Sequence, residues 1–127
     1  MLRHTERLLK AAADSTRLRI LKMLESGPLC VCQIVAALGL SQSTVSKHLS
    51  ILSGPGLIED ERRGRWTWYH LARPDSDLGR HLQALLRSCC AEDPLVAQDL
   101  AKVKGKRIQA LAACCPPRPT SRKRGAP

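Results

Sequence analysis

Apolar residues recur at helical spacing through the first half of the chain and divide it into short segments. The clearest segment follows Asp14, a good N-cap residue, and carries a leucine at every third position until Gly27 and Pro28 end it. A shorter apolar segment over residues 5–13 precedes it. The pattern predicts two helices, the second of which lies in the core.

Two further helical segments follow, and a short connection joins them. The first repeats apolar residues from Val31 to Leu38 and ends at Gly39, a residue that readily adopts the left-handed conformation at helix ends. Ser41 then caps a helix whose apolar stripe stops at the breaker formed by residues 54–56. Two short helices separated by such a turn form a helix-turn-helix.

Beyond residue 57 the apolar period changes from helical to alternating. Residues 57–71 alternate, and a charged stretch at 61–65 interrupts them, which predicts a β-hairpin with a basic tip. A helix opens near Pro74 with an apolar stripe of Leu78, Leu82 and Leu85. A last helix from about Pro94 carries Val96, Leu100, Val103 and Leu111. The predicted fold is α+β, mainly α with a hairpin, in the order α-α-α-α-β-β-α-α: a winged helix-turn-helix over residues 1–115. The proline-rich basic tail 116–127 cannot build a core and is expected to be disordered.

The composition indicates what kind of molecule the chain binds and where in the cell it is expected. The chain has 127 residues, and its 21 Lys and Arg against 11 Asp and Glu give a net charge of +10, which attracts a polyanion. A core this small favours dimerisation. The N-terminal residues lack the apolar run of a signal peptide, and no stretch resembles a membrane span, so we expect a cytoplasmic bacterial protein without a membrane partner.

The second helix of the helix-turn-helix carries a polar face opposite its apolar stripe. That face holds Gln42, Ser43, Ser46 and Lys47. Gln can pair with an adenine edge, Ser can bond bases or phosphates, and Lys suits a phosphate. An ordinary solvated helix face is the alternative.

The hairpin tip supports the first interpretation. Arg62, Arg63 and Arg65 surround a glycine there and can reach a phosphate or the minor groove, although a solubilising loop has the same composition. Trp66, Trp68 and Tyr69 are typical of a half-buried strand, so we assign them to packing. His48 can contact a phosphate or pack between helices, and the sequence does not decide between the two.

Four motifs of the chain are Asp14-Ser15-Thr16-Arg17-Leu18-Arg19-Ile20-Leu21, Leu29-Cys30-Val31-Cys32, Leu40-Ser41-Gln42-Ser43-Thr44-Val45-Ser46-Lys47-His48-Leu49 and Gly56-Leu57-Ile58. Through them the chain strongly resembles the ArsR/SmtB family of bacterial metal-responsive repressors, over residues 5 to about 90. The resemblance implies a homodimer joined through its first and last helices, whose binding to operator DNA weakens when metal binds. The family's DNA-contacting positions fall on Gln42, Ser43, Ser46 and Lys47, and a two-fold dimer implies an inverted-repeat operator.

Cys30 and Cys32 lie where the chain enters the third helix, and the free N–H groups of a helix start favour thiolate. Within the resemblance, this pair looks like the arsenic-sensing branch, whose thiolates bind As(III) or Sb(III). Two small hydrophobic residues at a helix junction are the alternative. The chain departs from the pattern at Gln33, where related sensors often have Asp, and at Val35, where enteric arsenic sensors have a third cysteine.

A third ligand would have to come from elsewhere in the chain. Candidates are Cys89, Cys90, Cys114 and Cys115. If Cys89 and Cys90 continue the preceding helix they point about 100° apart, which hinders both from sharing one ion. The zinc branch's ligands are incomplete on that helix, where His81 is expected to be an interface or core residue rather than a ligand.

These observations predict a repressor of inverted-repeat operator DNA, with As(III) or Sb(III) as inducer and no catalytic cofactor. A repressor that responds to Cd or Pb, or to thiol oxidation, has the same sequence features. A thiol-based reductase fits less well, because the chain has neither a Cys-x-x-Cys in a βαβ unit nor a glycine-rich anion loop, and we therefore expect no enzyme.

Overall fold

The structure is a computed structural model and describes residues 2–64, 66–74 and 76–104. It contains six helices and three strands in this part of the chain. The helices are α1 (Leu2–Ala12), α2 (Ser15–Leu24), α3 (Val31–Leu38), α4 (Gln42–Ser53), α5 (Asp77–Ser88) and α6 (Pro94–Lys104), and the strands are β1 (Leu29–Cys30), β2 (Ile58–Arg63) and β3 (Trp66–Leu71). The predicted α+β winged helix-turn-helix is confirmed, with one strand more than the sequence indicated.

The additional strand, β1, completes a three-stranded antiparallel sheet in the order β1-β3-β2. Its two residues pair with the second strand of the hairpin, Leu29 opposite Tyr69 and Cys30 opposite Trp68. The hairpin turns at Gly64, whose φ of 62° lies in the left-handed region that glycine adopts without strain. The segment that enters α3 is therefore hydrogen-bonded to the wing.

The helix-turn-helix forms as its capping residues predict. Gly39 ends α3 with a φ of 71°. Ser41 caps α4 by accepting a hydrogen bond at Oγ from the N–H of Thr44, at 3.2 Å. Val45, Leu49 and Leu52 on α4 are buried against the core. This packing leaves the opposite face of α4 exposed to solvent.

A buried ion pair ties α6 to α2. The Arg19 guanidinium donates to both carboxylate oxygens of Asp99, at 2.8 and 3.0 Å, and Asp99 is only 1% exposed. Lys102 adds a second connection, because its Nζ donates to the carbonyl oxygen of Ala37 on α3. The predicted α6 residues Val96 and Val103 are buried. The structure thus fastens α6 across the helices that precede the wing.

The sequence interpretation of α5 is wrong in two details. Leu85 belongs to the predicted apolar stripe but is 60% exposed, whereas Leu86 is buried. The helix ends at Ser88, and Cys89 already has extended backbone angles. Cys90 follows with a φ of 62°. The expectation that these cysteines stand about 100° apart on one helix therefore does not hold.

Some expectations fall outside the described residues, namely Leu111, Cys114, Cys115 and the tail 116–127. In the part of the chain that the structure describes, no helix combines the length and the apolar character needed to span a bilayer.

Candidate nucleic-acid interface and thiol pair

The polar face of α4 is available to a large partner. Gln42, Ser43, Ser46 and Lys47 are all exposed, on the side away from the buried apolar stripe. Ser41 fixes the helix start, because its hydroxyl oxygen lies 2.9 Å from Oγ1 of Thr44 as well as accepting from the Thr44 backbone. The structure thus brings these four side chains together on the first turn and a half of one rigid helix, where helix-turn-helix proteins contact base edges.

The arginines of the wing are not equivalent. Arg62 is exposed at the tip, and its Nε donates to the carbonyl oxygen of Gly64 at 3.4 Å. Arg63 is half-buried and donates through Nη2 to the Glu61 carboxylate at 2.7 Å. Glu61 neutralises part of the Arg63 charge, which sequence reasoning missed although alternate residues of a strand share a face. Arg65 lies outside the described residues.

The aromatic residues of β3 pack rather than present stacking faces. Trp68 is 2% exposed, and its Nε1 has no hydrogen-bond acceptor among the described residues. Tyr69 is half-buried against the core; burial raises its pKa, and the negative charges of Asp60 and Cys30 raise it further. The packing assignment of Trp68 is confirmed.

His48 takes part in a contact between helices. Its Nδ1 lies 3.3 Å from Nη1 of Arg17, whose Nε donates to the carbonyl oxygen of Ala11 at 2.7 Å. Asp14 accepts from the backbone N–H of Arg17, and this bond is the main cause of a lowered pKa for that carboxyl group. His48 therefore helps to join α4 to α2 and to the end of α1.

Cys30 and Cys32 lie together at the start of α3. Their Sγ atoms are 3.4 Å apart, too far for a bond between them, and Cys30 is fully buried while Cys32 is half-buried. Gln33, the residue that departs from the family pattern, accepts from the backbone N–H of Cys30 through Oε1 at 2.9 Å. The departure therefore preserves an acceptor that fixes the helix start.

Cys89 and Cys90 follow the C-terminal end of a helix, α5, whereas the first pair lies at a helix start. Cys89 Sγ donates to the Leu86 carbonyl oxygen at 3.3 Å. Burial raises the pKa of the Cys89 thiol, a hydrogen bond with Cys90 raises it further, and the charge of Lys22 lowers it. No group of three or more His, Cys, Asp and Glu within the described ranges could hold a metal ion. These ranges therefore do not supply a third ligand beside Cys30 and Cys32.

His81, expected at an interface or in the core, is exposed on α5. Its Nδ1 lies 2.6 Å from the carbonyl oxygen of Asp77 in the same helix. The core alternative for this histidine is wrong.

Comparisons with known proteins agree with this geometry. Residues 14–60 match the family described as bacterial regulatory protein, arsR family. The chain is 34% identical over 109 residues to the arsenic resistance transcriptional regulator ArsR1 of Pseudomonas putida, covering 83% of each chain. It is 45% identical over 98 residues to the HTH-type transcriptional regulator CmtR of Mycobacterium tuberculosis, covering 75% of this chain and 81% of that protein.

Structural similarity leads to the same family. The structure resembles the homodimeric winged helix-turn-helix DNA-binding domain of a possible ArsR-family transcriptional regulator from Mycobacterium bovis. The TM-score is 0.59 and the identity 36%, over 68% of this chain and 77% of that one. With an exposed polar face on α4, a wing beside it and relatives that match most of its length, the chain belongs to the ArsR family of winged helix-turn-helix transcriptional repressors.

Proposed function

We propose that the protein represses transcription at an operator and is released when As(III) or Sb(III) binds the thiolates of Cys30 and Cys32. The observation that carries this proposal is the 3.4 Å separation of the two sulfur atoms at the start of α3. One ion that bonds both sulfurs needs them this close together. Similarity to a regulator of arsenic resistance supports the choice of ion.

The position of the pair favours thiolate once the protein is reduced. The first turn of a helix presents unpaired N–H groups and the positive end of the helix dipole, and both stabilise a negative sulfur. Trivalent arsenic takes three ligands, so two thiolates leave one position to fill. Cys114 or Cys115 is the candidate for the third ligand, because Cys89 and Cys90 form a separate pair. The third bond to the ion would then come from the C-terminal segment.

Two connections can carry the effect of the ion to DNA. Cys30 belongs to β1, which pairs with Trp68 of the wing strand β3. Cys32 belongs to α3, the helix on which α4 packs in the helix-turn-helix. A shift at the sulfurs therefore displaces the wing and α4 relative to each other, and a ligand that favours the displaced state weakens DNA binding.

The proposed DNA contacts are the α4 residues Gln42, Ser43, Ser46 and Lys47 together with Arg62, Arg63 and Arg65 of the wing. Of the two wing arginines that the structure describes, Arg62 is the better placed, because Arg63 shares its charge with Glu61. The similar domain from Mycobacterium bovis is homodimeric. A dimer of this chain would present two copies of α4 to an inverted repeat, one helical turn or a multiple of it apart.

The test is the DNA affinity of the reduced protein for its own promoter fragment, measured by fluorescence anisotropy with and without arsenite. We expect arsenite to weaken binding about 5- to 150-fold, the usual range of allosteric coupling. The Cys30→Ser, Cys32→Ser variant should bind DNA as the wild type does and ignore arsenite. Unchanged affinity of the wild type at saturating arsenite would disprove metalloid sensing.

Thiol oxidation is the second candidate signal, because the half-exposed Cys32 places its sulfur 3.4 Å from that of Cys30, and two neighbouring thiols can be oxidised without metal. Peroxide that releases DNA from metal-free protein, together with no response to arsenite, would select this alternative. Because soft thiolate sites also bind Cd(II) and Pb(II), both ions belong in the same titration.

A further inference from the structure

An open cleft of about 340 Å³ separates α1 from the C-terminal half of α4. Three of its lining residues are cations, Arg7, Lys10 and Arg17, and none of the described residues that line it is acidic. The other lining residues are small or apolar: Ala11, Ser50, Ile51, Gly54 and Pro55. The cleft is therefore a concentration of positive charge beside the candidate DNA-reading helix.

The cleft continues the reading face of α4 along the helix. Ser43, Ser46, Ser50 and Gly54 follow one another at spacings of three and four residues, so they share one side of α4 and its end. A partner that lies along the first turns of this face would meet the cleft farther along the same helix.

Gly54 allows α1 to approach closely at the end of α4. A Cβ atom at this position would lie 3.3 Å from Nη2 of Arg7, closer than nine in ten real Cβ contacts. The Arg7 guanidinium thus rests against bare backbone. This contact places a cation of α1 directly at the end of the polar face of α4.

The three cations differ in how much of their hydrogen-bonding capacity is already used. Arg17 donates to the carbonyl oxygens of Lys10 and Ala11 and contacts His48, so its charge is fixed but its donors are engaged. Lys10 pairs with Glu6 at 3.1 Å through side chains that are 76% and 57% exposed, and solvent weakens such pairs. Arg7 forms no ion pair within the described ranges. Arg7 and Lys10 are therefore able to bind an incoming anion, and Arg17 adds a fixed positive field.

We propose that Arg7 and Lys10 bind a phosphate of the DNA backbone at the edge of the major groove that α4 enters. In helix-turn-helix proteins the first residues of the reading helix contact base edges. The other end of that helix then faces the sugar-phosphate backbone, whose oxyanions attract Arg and Lys regardless of sequence. The inference goes beyond metalloid sensing and depends only on binding of α4 to duplex DNA.

The test uses the reduced full-length protein and a mixed-sequence DNA duplex, with affinity measured across a series of KCl concentrations. Each lost phosphate contact should reduce the slope of log K against log salt by roughly 1. We expect the Arg7→Gln, Lys10→Gln variant to bind roughly tenfold or more weakly at low salt, with a slope smaller by about 1 to 2. Arg7→Lys keeps the charge and should keep most of the slope.

Arg87→Gln is the matched control, since it removes one exposed cation from α5, outside the residues that line the cleft. It should leave the salt slope near that of the wild type. Circular dichroism and gel filtration establish that each variant keeps its fold and its oligomeric state. The proposal is wrong if the double variant retains the wild-type slope, or if Arg87→Gln lowers the slope as much as the single variant Arg7→Gln does.

Discussion

The two cysteine pairs in the described part of the chain occupy opposite helix termini. Cys30 and Cys32 stand at the start of α3, held by a sheet and by Gln33. Cys89 and Cys90 follow the end of α5, where the helix presents unpaired carbonyl groups and the negative end of its dipole. Two neighbouring thiols thus experience opposite electrostatic environments in one small protein.

This difference teaches that spacing alone does not make a thiolate site. The first pair is near N–H groups and is connected to the wing. The second pair includes a thiol whose pKa is raised by burial and by its neighbour, so at neutral pH it is more fully protonated than an ordinary cysteine. Only the first pair combines a favourable charge environment with a route to the DNA-facing elements.

The largest expected effect is on the free energy of unfolding, and it tests how firmly the sheet holds Cys30. Trp68 is buried directly opposite Cys30, and Trp68→Ala should lower the free energy of unfolding by about 3 to 5 kcal/mol through the cavity it leaves. Leu85→Ala, at a 60% exposed position on the helix before the second pair, should change it by less than about 0.5 kcal/mol. Urea denaturation of both variants measures the contrast. A cost below about 1 kcal/mol for Trp68→Ala would show that the sheet does not confine Cys30.

A smaller effect is expected from Lys22, which donates to the end of the helix that precedes the second pair. Lys22 is 4% exposed and its Nζ donates to the Leu86 carbonyl oxygen at 2.8 Å. Lys22→Ala should cost about 2 kcal/mol, since hydrogen bonds to charged groups are worth roughly that amount. Because the Lys22 charge lowers the pKa of Cys89, its removal raises that pKa further and reduces the thiolate fraction at neutral pH.

Urea denaturation gives the stability change of the Lys22 variants, and mass spectrometry of iodoacetamide labelling at several pH values follows Cys89. In Lys22→Ala the labelling of Cys89 should begin at higher pH than in the wild type. Lys22→Arg keeps the charge and should label nearly as the wild type does. Faster labelling in Lys22→Ala would contradict the assigned direction of the charge effect.

The smallest expected effect concerns Gln33 and the first pair. Gln33→Ala removes the acceptor for the Cys30 N–H and should cost about 1 kcal/mol. It should also weaken arsenite binding, because the start of α3 then frays and the two sulfurs lose their fixed separation. Gln33→Glu keeps an acceptor and places a negative charge at a helix start, so it should match the wild type in stability. Equal arsenite affinities in all three proteins, measured by titration, would show that the cap does not position the pair.

The helix-turn-helix was predictable from the sequence because a single residue marks each helix end. The Ser41 side chain suits a helix start, and it caps α4. The backbone freedom of Gly39 suits a helix end, and this residue ends α3. The α4 face followed from the buried stripe of Val45, Leu49 and Leu52. Local chemistry and helical period were sufficient there.

Features that depend on distant partners were not predictable. A strand of two residues such as β1 is too short to show a period, and it exists because β3 offers a partner. The end of α5 lacks a glycine or proline signal, and Cys90 adopts a positive φ that non-glycine residues rarely take. The Arg7 and Lys10 cluster was also missed, although their spacing of three residues places both on one side of α1.

Under the proposed metalloid mechanism, the complete burial of Cys30 determines how quickly the protein responds. An ion can first attach to the half-exposed Cys32, but it reaches the second sulfur only when β1 or the first turn of α3 opens locally. The rate of capture then depends on the frequency of that opening rather than on collisions in solution. Substitutions that loosen the sheet would shorten the delay between exposure to the inducer and release of DNA, even where they leave equilibrium affinity unchanged.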